Sequence, residues 1–294
     1  MDNKYLKISV LTLVPFLLIA IFSIAKVFSD EIRLNPILLN FGVVQITWYA
    51  FLICIGMLLA TLIGESRAKK EKVNIDEFYS LVIFGIIFGV IGARLYYVLF
   101  NLDYFLADPI HIFFIFEGGL AIHGGILGGI LSTFVFLKVK KNSTIKFLQA
   151  TDFFTLVVPL AQAIGRWGNF FNYEAYGKPT SLPWKMYIPL ENRFFDFRNF
   201  EYYHPTFLYE SFFNLLLFIF LLWYVDNKRK SFGEITFLYM IFYFSFRSIL
   251  EMLRLDNLML GDYRINVIMS ILIAIFSLFM FFKMKKSFKG GKSN

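Results

Sequence analysis

Eight stretches of the chain, each near twenty residues long, are almost wholly apolar: 8–28, 44–63, 78–100, 119–137, 149–168, 206–225, 233–253 and 264–282. A helix of about 20 such residues crosses the hydrocarbon core of a bilayer, and inside lipid every backbone N–H and C=O must be satisfied within the segment. That constraint selects the fold class, an all-α polytopic membrane protein. Composition agrees, because 58% of the 294 residues are hydrophobic, 17% are charged, and 39 Phe and 16 Tyr exceed what a water-soluble core this size can hide. Lys clusters, Gly, Pro and Asn punctuate the stretches.

The net charge of +8 reads as topology. Lys4 and Lys7 precede the first stretch, Arg67, Lys69, Lys70 and Lys72 follow the second, and Lys138, Lys140, Lys141 and Lys146 follow the fourth. Lys228, Arg229 and Lys230 follow the sixth, and five lysines fill the tail from Lys283 to Lys292, whereas the opposite loop 101–118 has no basic residue. This asymmetry predicts both termini on the cytoplasmic side and removes nucleic acid as a partner. The first stretch has the outline of a signal peptide. Its apolar run is long for one, and Ile24-Ala25-Lys26-Val27 offers no small-x-small cleavage site, so an uncleaved anchor is expected. The expected organisation is an anchor at 1–35 and a transmembrane domain at 36–294. Its extracytoplasmic cap, 170–205, is rich in aromatics and proline (Pro179, Pro183, Trp184, Pro189). No internal repeat is evident.

Ionisable residues in spans are expensive and mark function. Arg94 lies in the outer part of the third stretch, and His123 opens the fourth. Arg166 and Asn169 close the fifth, Glu174 follows, His204 and Glu210 begin the sixth, and Arg247, Glu251 and Arg254 sit in the outer part of the seventh. Five spans thus feed one polar layer facing the exterior. Tyr243, Arg247 and Glu251 recur every four residues and share a helix face. An Arg–Glu pair that merely fixes packing explains them equally well. Three arginines against Glu251, Glu210 and Glu174 look prepared for an anionic headgroup, because the rigid guanidinium fork matches phosphate. Gly128 and Gly129 read as close helix approach, with Gly124/Gly128 at small-xxx-small spacing. Near His123, glycine alternatively leaves backbone open to a ligand. Asp152 reads as a helix cap, and His111 as an interfacial residue. Cys54, the one cysteine, excludes an internal disulfide and reads as an inert mid-span thiol. Three histidines without HExxH spacing give little support for a metal enzyme.

GRWGNFFNYEAYG at 165–177 resembles the signature GRxGNFxNxExxG of the bacterial prolipoprotein diacylglyceryl transferases. EGGLAIHGG (117–125), GARLYYVLF (92–100), HPTFLYES (204–211) and RSILEMLR (247–254) are similar to further segments of that family, in its order. The resemblance implies a seven-span inner-membrane enzyme with an outer cap, here with one added N-terminal helix. Such an enzyme moves the sn-1,2-diacylglyceryl group of phosphatidylglycerol onto the lipobox cysteine thiol in the signal peptide of a preprolipoprotein. It releases glycerol 1-phosphate and uses no metal or cofactor. The family has its amino terminus outside, from which the added stretch departs. Residues carried over by motif are Tyr49, His123, Arg166, Asn169, Glu174, Gly177, Glu210, Tyr243, Arg247 and Glu251.

The expected roles follow the chemistry. Arg166 binds the lipid phosphate with help from Arg94, Tyr49, Gly177 and Glu210. Arg247, oriented by Glu251 and neighbouring Tyr243, meets the leaving group. His123 is the leading general base, and Glu174 and Asn169 position headgroup or peptide. Two other classes stay open: a transporter for an anionic solute, and a lipid-binding scaffold without a base.

Overall fold

Helix α1, described over residues 22–28, is followed by α2 (Trp48–Lys70), α3 (Ile75–Leu99), α4 (Leu102–Ala107), α5 (Ile122–Val139) and α6 (Phe147–Phe171). After the cap come α7 (Thr206–Asn227), α8 (Glu234–Glu251) and α9 (Ile265–Gly290). This is a computed structural model that describes residues 22–42, 45–115, 118–140, 143–255, 259–260 and 263–290. Apolar stretches two to eight coincide with α2, α3, α5, α6, α7, α8 and α9, while most of the first, 8–21, lies outside the described residues. Among the described residues five helices are long and apolar enough to cross a bilayer: α2, α3, α6, α7 and the Ile265–Lys286 part of α9. The chain is a mostly helical polytopic membrane protein.

Among the described residues three short antiparallel strand pairs interrupt the helices: β1 (Ile37–Asn40) with β2 (Gln45–Thr47), β3 (Met186–Tyr187) with β4 (Tyr202–Tyr203), and β5 (Met259–Leu260) with β6 (Tyr263–Arg264). Strands of two to four residues are too short to leave an alternation in the sequence. The chain divides into two compact units, one of residues 1–56, 160–217 and 242–275, the other of 57–159, 218–241 and 276–294.

In the first unit the cap has its own core. Tyr176, Met186, Ile188 and Tyr203 are buried with Phe170, Tyr173, Phe207 and Val27 of α1. The two central tyrosines also serve the loops: the Tyr176 hydroxyl donates to the Asn192 carbonyl at 2.7 Å and accepts from the Phe194 amide at 2.9 Å. The Tyr203 hydroxyl donates to the Phe197 carbonyl at 2.6 Å. A buried loop survives only if its backbone polar groups find such partners.

In the second unit buried charge serves helix ends. Asn74 caps α3, its side chain accepting from the Glu77 amide at 3.0 Å. Asp152 caps as expected, but it caps a different helix from its own: its carboxylate accepts from the Gly233 amide at 2.8 Å and the Thr236 amide at 2.9 Å, at the start of α8. Glu71, just past α2, accepts from Gln149 (2.9 Å), Arg67 (2.7 Å) and Arg229 (2.6 Å). Burial alone would push its carboxyl up, but these bonds outweigh burial and hold it below the usual carboxylate range.

Helices α3 and α5 meet backbone against backbone. A Cβ added to Gly128 would collide with the Phe88 carbonyl, and one added to Gly124 with the Gly92 carbonyl and Tyr96. Gly129, in contrast, has nothing within 4 Å of an added Cβ, so the expectation of close approach holds for Gly124 and Gly128 and is corrected for Gly129, which turns off the contact. Successive helical residues point about 100° apart, so adjacent glycines cannot both face one neighbour. Gly128→Ala should therefore lose about 1–3 kcal/mol by overpacking, whereas Gly129→Ala should be neutral or gain up to about 1 kcal/mol from helix propensity. Thermal unfolding of the two variants in detergent checks this, and identical behaviour would contradict the contact.

Candidate active site

The C-terminal end of α6 carries GRWGNFF, and two packing features fix it in place. Gly168 lets the start of α2 come against it: a Cβ there would stand 2.9 Å from the Tyr49 Cα and overlap the Tyr49 ring. Trp48 stacks on Phe171 at 4.6 Å with planes 12° apart. Beyond the helix, Tyr173 (φ 50°) and Ala175 (φ 56°) take left-handed backbone on either side of Glu174. The region is sterically poor for a bulky residue and persists only where the surroundings over-determine it. The turn sends the Glu174 carboxylate back towards the helix, where its Oε1 accepts from Asn169 Nδ2 at 2.8 Å and Asn172 Nδ2 at 3.1 Å.

Glu210 of α7 is the centre. Its side chain is 1% exposed, and both oxygens are engaged. Oε1 accepts from Arg166 Nη2 at 2.7 Å and from the Tyr243 hydroxyl at 3.2 Å. Oε2 accepts from Arg247 Nη1 at 3.1 Å. A buried carboxylate shared by two guanidiniums avoids the penalty that an unpaired charge would carry in a low-dielectric setting. Arg166 continues outward through Nη1 to Asn169 Oδ1 at 3.1 Å. Arg247 Nη2 lies 2.7 Å from Glu251 Oε2, an ion pair one helical turn along α8, with the N–H axis off the contact line. Glu251 is fixed from beyond: Asn266 Nδ2 donates to its Oε1 at 2.8 Å and Arg264 Nη1 to its carbonyl at 2.9 Å.

A continuous chain of contacts thus runs Glu174, Asn169, Arg166, Glu210, Arg247, Glu251, Asn266, with Tyr243 on the central carboxylate. Each arginine commits part of a five-donor fork to carboxylate and keeps partial exposure, 22% for Arg166 and 18% for Arg247. Such an arrangement holds two cationic edges ready for an anion.

Gly177 adjoins the cluster as backbone. It pairs with Arg254 in a β-bridge, donates to the His204 carbonyl at 2.9 Å, and has no room for a Cβ beside His204 and Thr206. The His204 ring nitrogen Nδ1 lies 3.1 Å from the Tyr209 hydroxyl, which accepts from Trp184 Nε1 at 2.8 Å. Burial pushes the His204 imidazole below its usual value, so it is neutral at pH 7.

Two of the sequence-predicted residues, Arg94 and His123, belong to the second unit. Arg94, 6% exposed, spends its donors on main-chain carbonyls: Nε to Ile112 (2.9 Å), Nη1 to Gly118 (2.7 Å) and Gly119 (3.1 Å), Nη2 to His111 and Phe114. It stitches the loop after α3. His123 lies on the first turn of α5, and its side chain is outside the described residues. Cys54, expected to be buried, is exposed on the surface of α2. A span can be apolar and still turn a residue away from its neighbours. Sequence reasoning missed Asn172, Arg264 and Asn266. Asn172 was visible as the second Asn of the signature, whereas Arg264 and Asn266 sit at the start of the last span with no periodic partner.

Comparison with known proteins addresses the chain as a whole. A family model described as prolipoprotein diacylglyceryl transferase matches residues 36–283. Proteins named phosphatidylglycerol–prolipoprotein diacylglyceryl transferase are similar along most of their length. That of Thermotoga maritima is 48% identical over 249 residues, 84% of this chain and 84% of the relative. That of Trichormus variabilis is 42% identical over 242 residues, 81% and 85%. That of Clostridium novyi is 39% identical over 250 residues, 85% and 96%. The extent of the family match and the level of identity place the chain plainly: it belongs to the prolipoprotein diacylglyceryl transferase family.

Proposed function

We propose that this chain transfers the diacylglyceryl group of phosphatidylglycerol to the lipobox cysteine in the signal peptide of a preprolipoprotein, and that the Arg166–Glu210–Arg247 cluster is where the lipid headgroup is held. The observation that carries the site is the carboxylate of Glu210 shared between two arginines, each with donors left over. The sulfur of the acceptor cysteine attacks the glyceryl carbon that bears the phosphate ester. A C–S bond forms, the C–O bond to phosphate breaks, and glycerol 1-phosphate leaves with the bonding electrons. Charge therefore grows on the departing phosphate, where pre-positioned guanidinium groups stabilise it without reorganising. Arg166 grips the phosphate and Arg247, held by Glu251, faces the leaving oxygen. Tyr243 and Tyr49 frame the headgroup, and Asn169 and Glu174 orient headgroup or peptide.

A thiol of pKa ~8.5 must give up its proton to react. His123 is the proposed base, on the ground that imidazole titrates near neutral pH. Arg94 is left out of the phosphate site because its donors end on carbonyls. Both termini are placed in the cytoplasm and the site towards the outer leaflet, on the basic loops at 67–72, 138–146 and 228–230.

The test is transfer of radiolabel from acyl-labelled phosphatidylglycerol to a lipobox peptide by the purified chain in detergent. Labelled peptide with release of glycerol phosphate is expected. Lipid binding without transfer would leave a scaffold, and neither would favour a transporter. Within that assay Arg166→Lys keeps the charge and loses the fork, so it should fall about tenfold to over a hundredfold, from about 1.5–3 kcal/mol, at unchanged melting temperature. Near-wild-type transfer by Arg166→Lys would remove Arg166 from the phosphate site. A reporter fused after Asn294 should be active only in the cytoplasm, and activity outside would reverse the proposed orientation.

A further inference from the structure

Residues upstream of the family match pack into the core behind the site. The match begins at residue 36, yet Val27 is 4% exposed within the cap cluster that includes Phe170, Tyr173 and Phe207. Phe28 meets Phe170 at 6.0 Å and Phe207 edge-on at 6.4 Å. The Leu34 amide donates to the Tyr173 hydroxyl at 2.9 Å, and Leu34 packs against the same cluster. Phe22, on the same helix, is 62% exposed. The segment thus has one face committed to the cap and one that is not.

What it touches is the turn that aims Glu174. Tyr173 holds left-handed backbone, which an aromatic residue adopts only under constraint. It is buried in the cluster that includes Val27, and its hydroxyl is tied to Leu34. On the other side Ala175, also left-handed, accepts from the Thr206 hydroxyl through its carbonyl. The backbone at Tyr173 sets the direction in which Glu174 leaves the turn, and so its reach to Asn169.

We propose that residues 27–34 form a positioning brace for Glu174, acting through Tyr173, in addition to whatever anchoring the N-terminal stretch supplies. The proposal rests on the reading that Glu174 belongs to the transfer site. None of the brace residues touches the substrate.

The experiment is steady-state transfer from phosphatidylglycerol to a lipobox peptide, using full-length variants. Phe28→Ala should lower kcat/KM between about tenfold and a hundredfold, the range expected when a site group is displaced by about an ångström, whereas Phe22→Ala should match wild type. Tyr173→Phe deletes one oxygen and should lower it about tenfold, which keeps the proposal testable where Phe28→Ala fails to fold. In a Glu174→Gln background Phe28→Ala should cost less than about twofold more, because coupled residues are not additive. Equal effects of Phe22→Ala and Phe28→Ala, a wild-type Tyr173→Phe, or full additivity with Glu174→Gln would each overturn the brace. A wild-type chain that transfers nothing would instead overturn the function.

Discussion

One buried carboxylate organises the cluster. Glu210 sits among apolar helices with 1% of its side chain exposed, where an unpaired charge would be several kcal/mol uphill. It is tolerable only because Arg166 of α6 and Arg247 of α8 reach it from either side and Tyr243 adds a neutral donor. Meeting that requirement draws three helices together at one point, and the contacts of Glu251 with Asn266 and Arg264 bring in the start of α9. The geometry needed for burial is also the geometry needed for an anion site, since arginines restrained by a fixed carboxylate present their remaining N–H edges in a fixed direction.

The charged side chains fall into two groups by what they leave unused. Arg94 directs its guanidinium at five main-chain carbonyls, and Asp152 directs its carboxylate at the amides and hydroxyl that open α8. Each closes a backbone that would otherwise present orphan groups. Arg166 and Arg247 are different, because side-chain carboxylates hold them through only part of the fork. Sign and depth in the sequence do not separate these groups, since all four lie in apolar stretches. Acceptor identity does.

Legibility from the sequence follows the range of the interaction. Apolar stretches two to eight mark the helices because twenty-residue runs are a local property, although α2 and α9 run seven and eight residues past the stretches that mark them. Tyr243, Arg247 and Glu251 could be placed on one face because helical period is local too. The convergence of Arg166 and Arg247 on Glu210 joins residues 44 and 37 positions apart, and no spacing rule reaches that far. The family signature stood in for it. Asn266 pairs with Glu251 across a hairpin, β5–β6, too short to leave a pattern. Asp152 was readable as a capping residue but not as the cap of α8, since a cap supplied by another helix depends on tertiary packing. Gly128 and Gly129 were indistinguishable until the helix phase was known.

The composition of the cluster bears on the kind of reaction it suits. Among the described residues it consists of guanidinium, carboxylate, carboxamide and phenol, groups that hold and polarise but are poor nucleophiles at neutral pH. Cys54 is not among the linked residues of the cluster and is exposed on α2. A site so furnished fits a transfer in which the second substrate brings its own nucleophile and the protein governs where negative charge accumulates. The cysteine thiol of a prolipoprotein is such a nucleophile, more reactive than any group in the cluster once deprotonated. On the proposed reading, the phosphate it displaces is the anion that meets the two forked cations, which are spaced by Glu210 and restrained by Glu251 and Asn169.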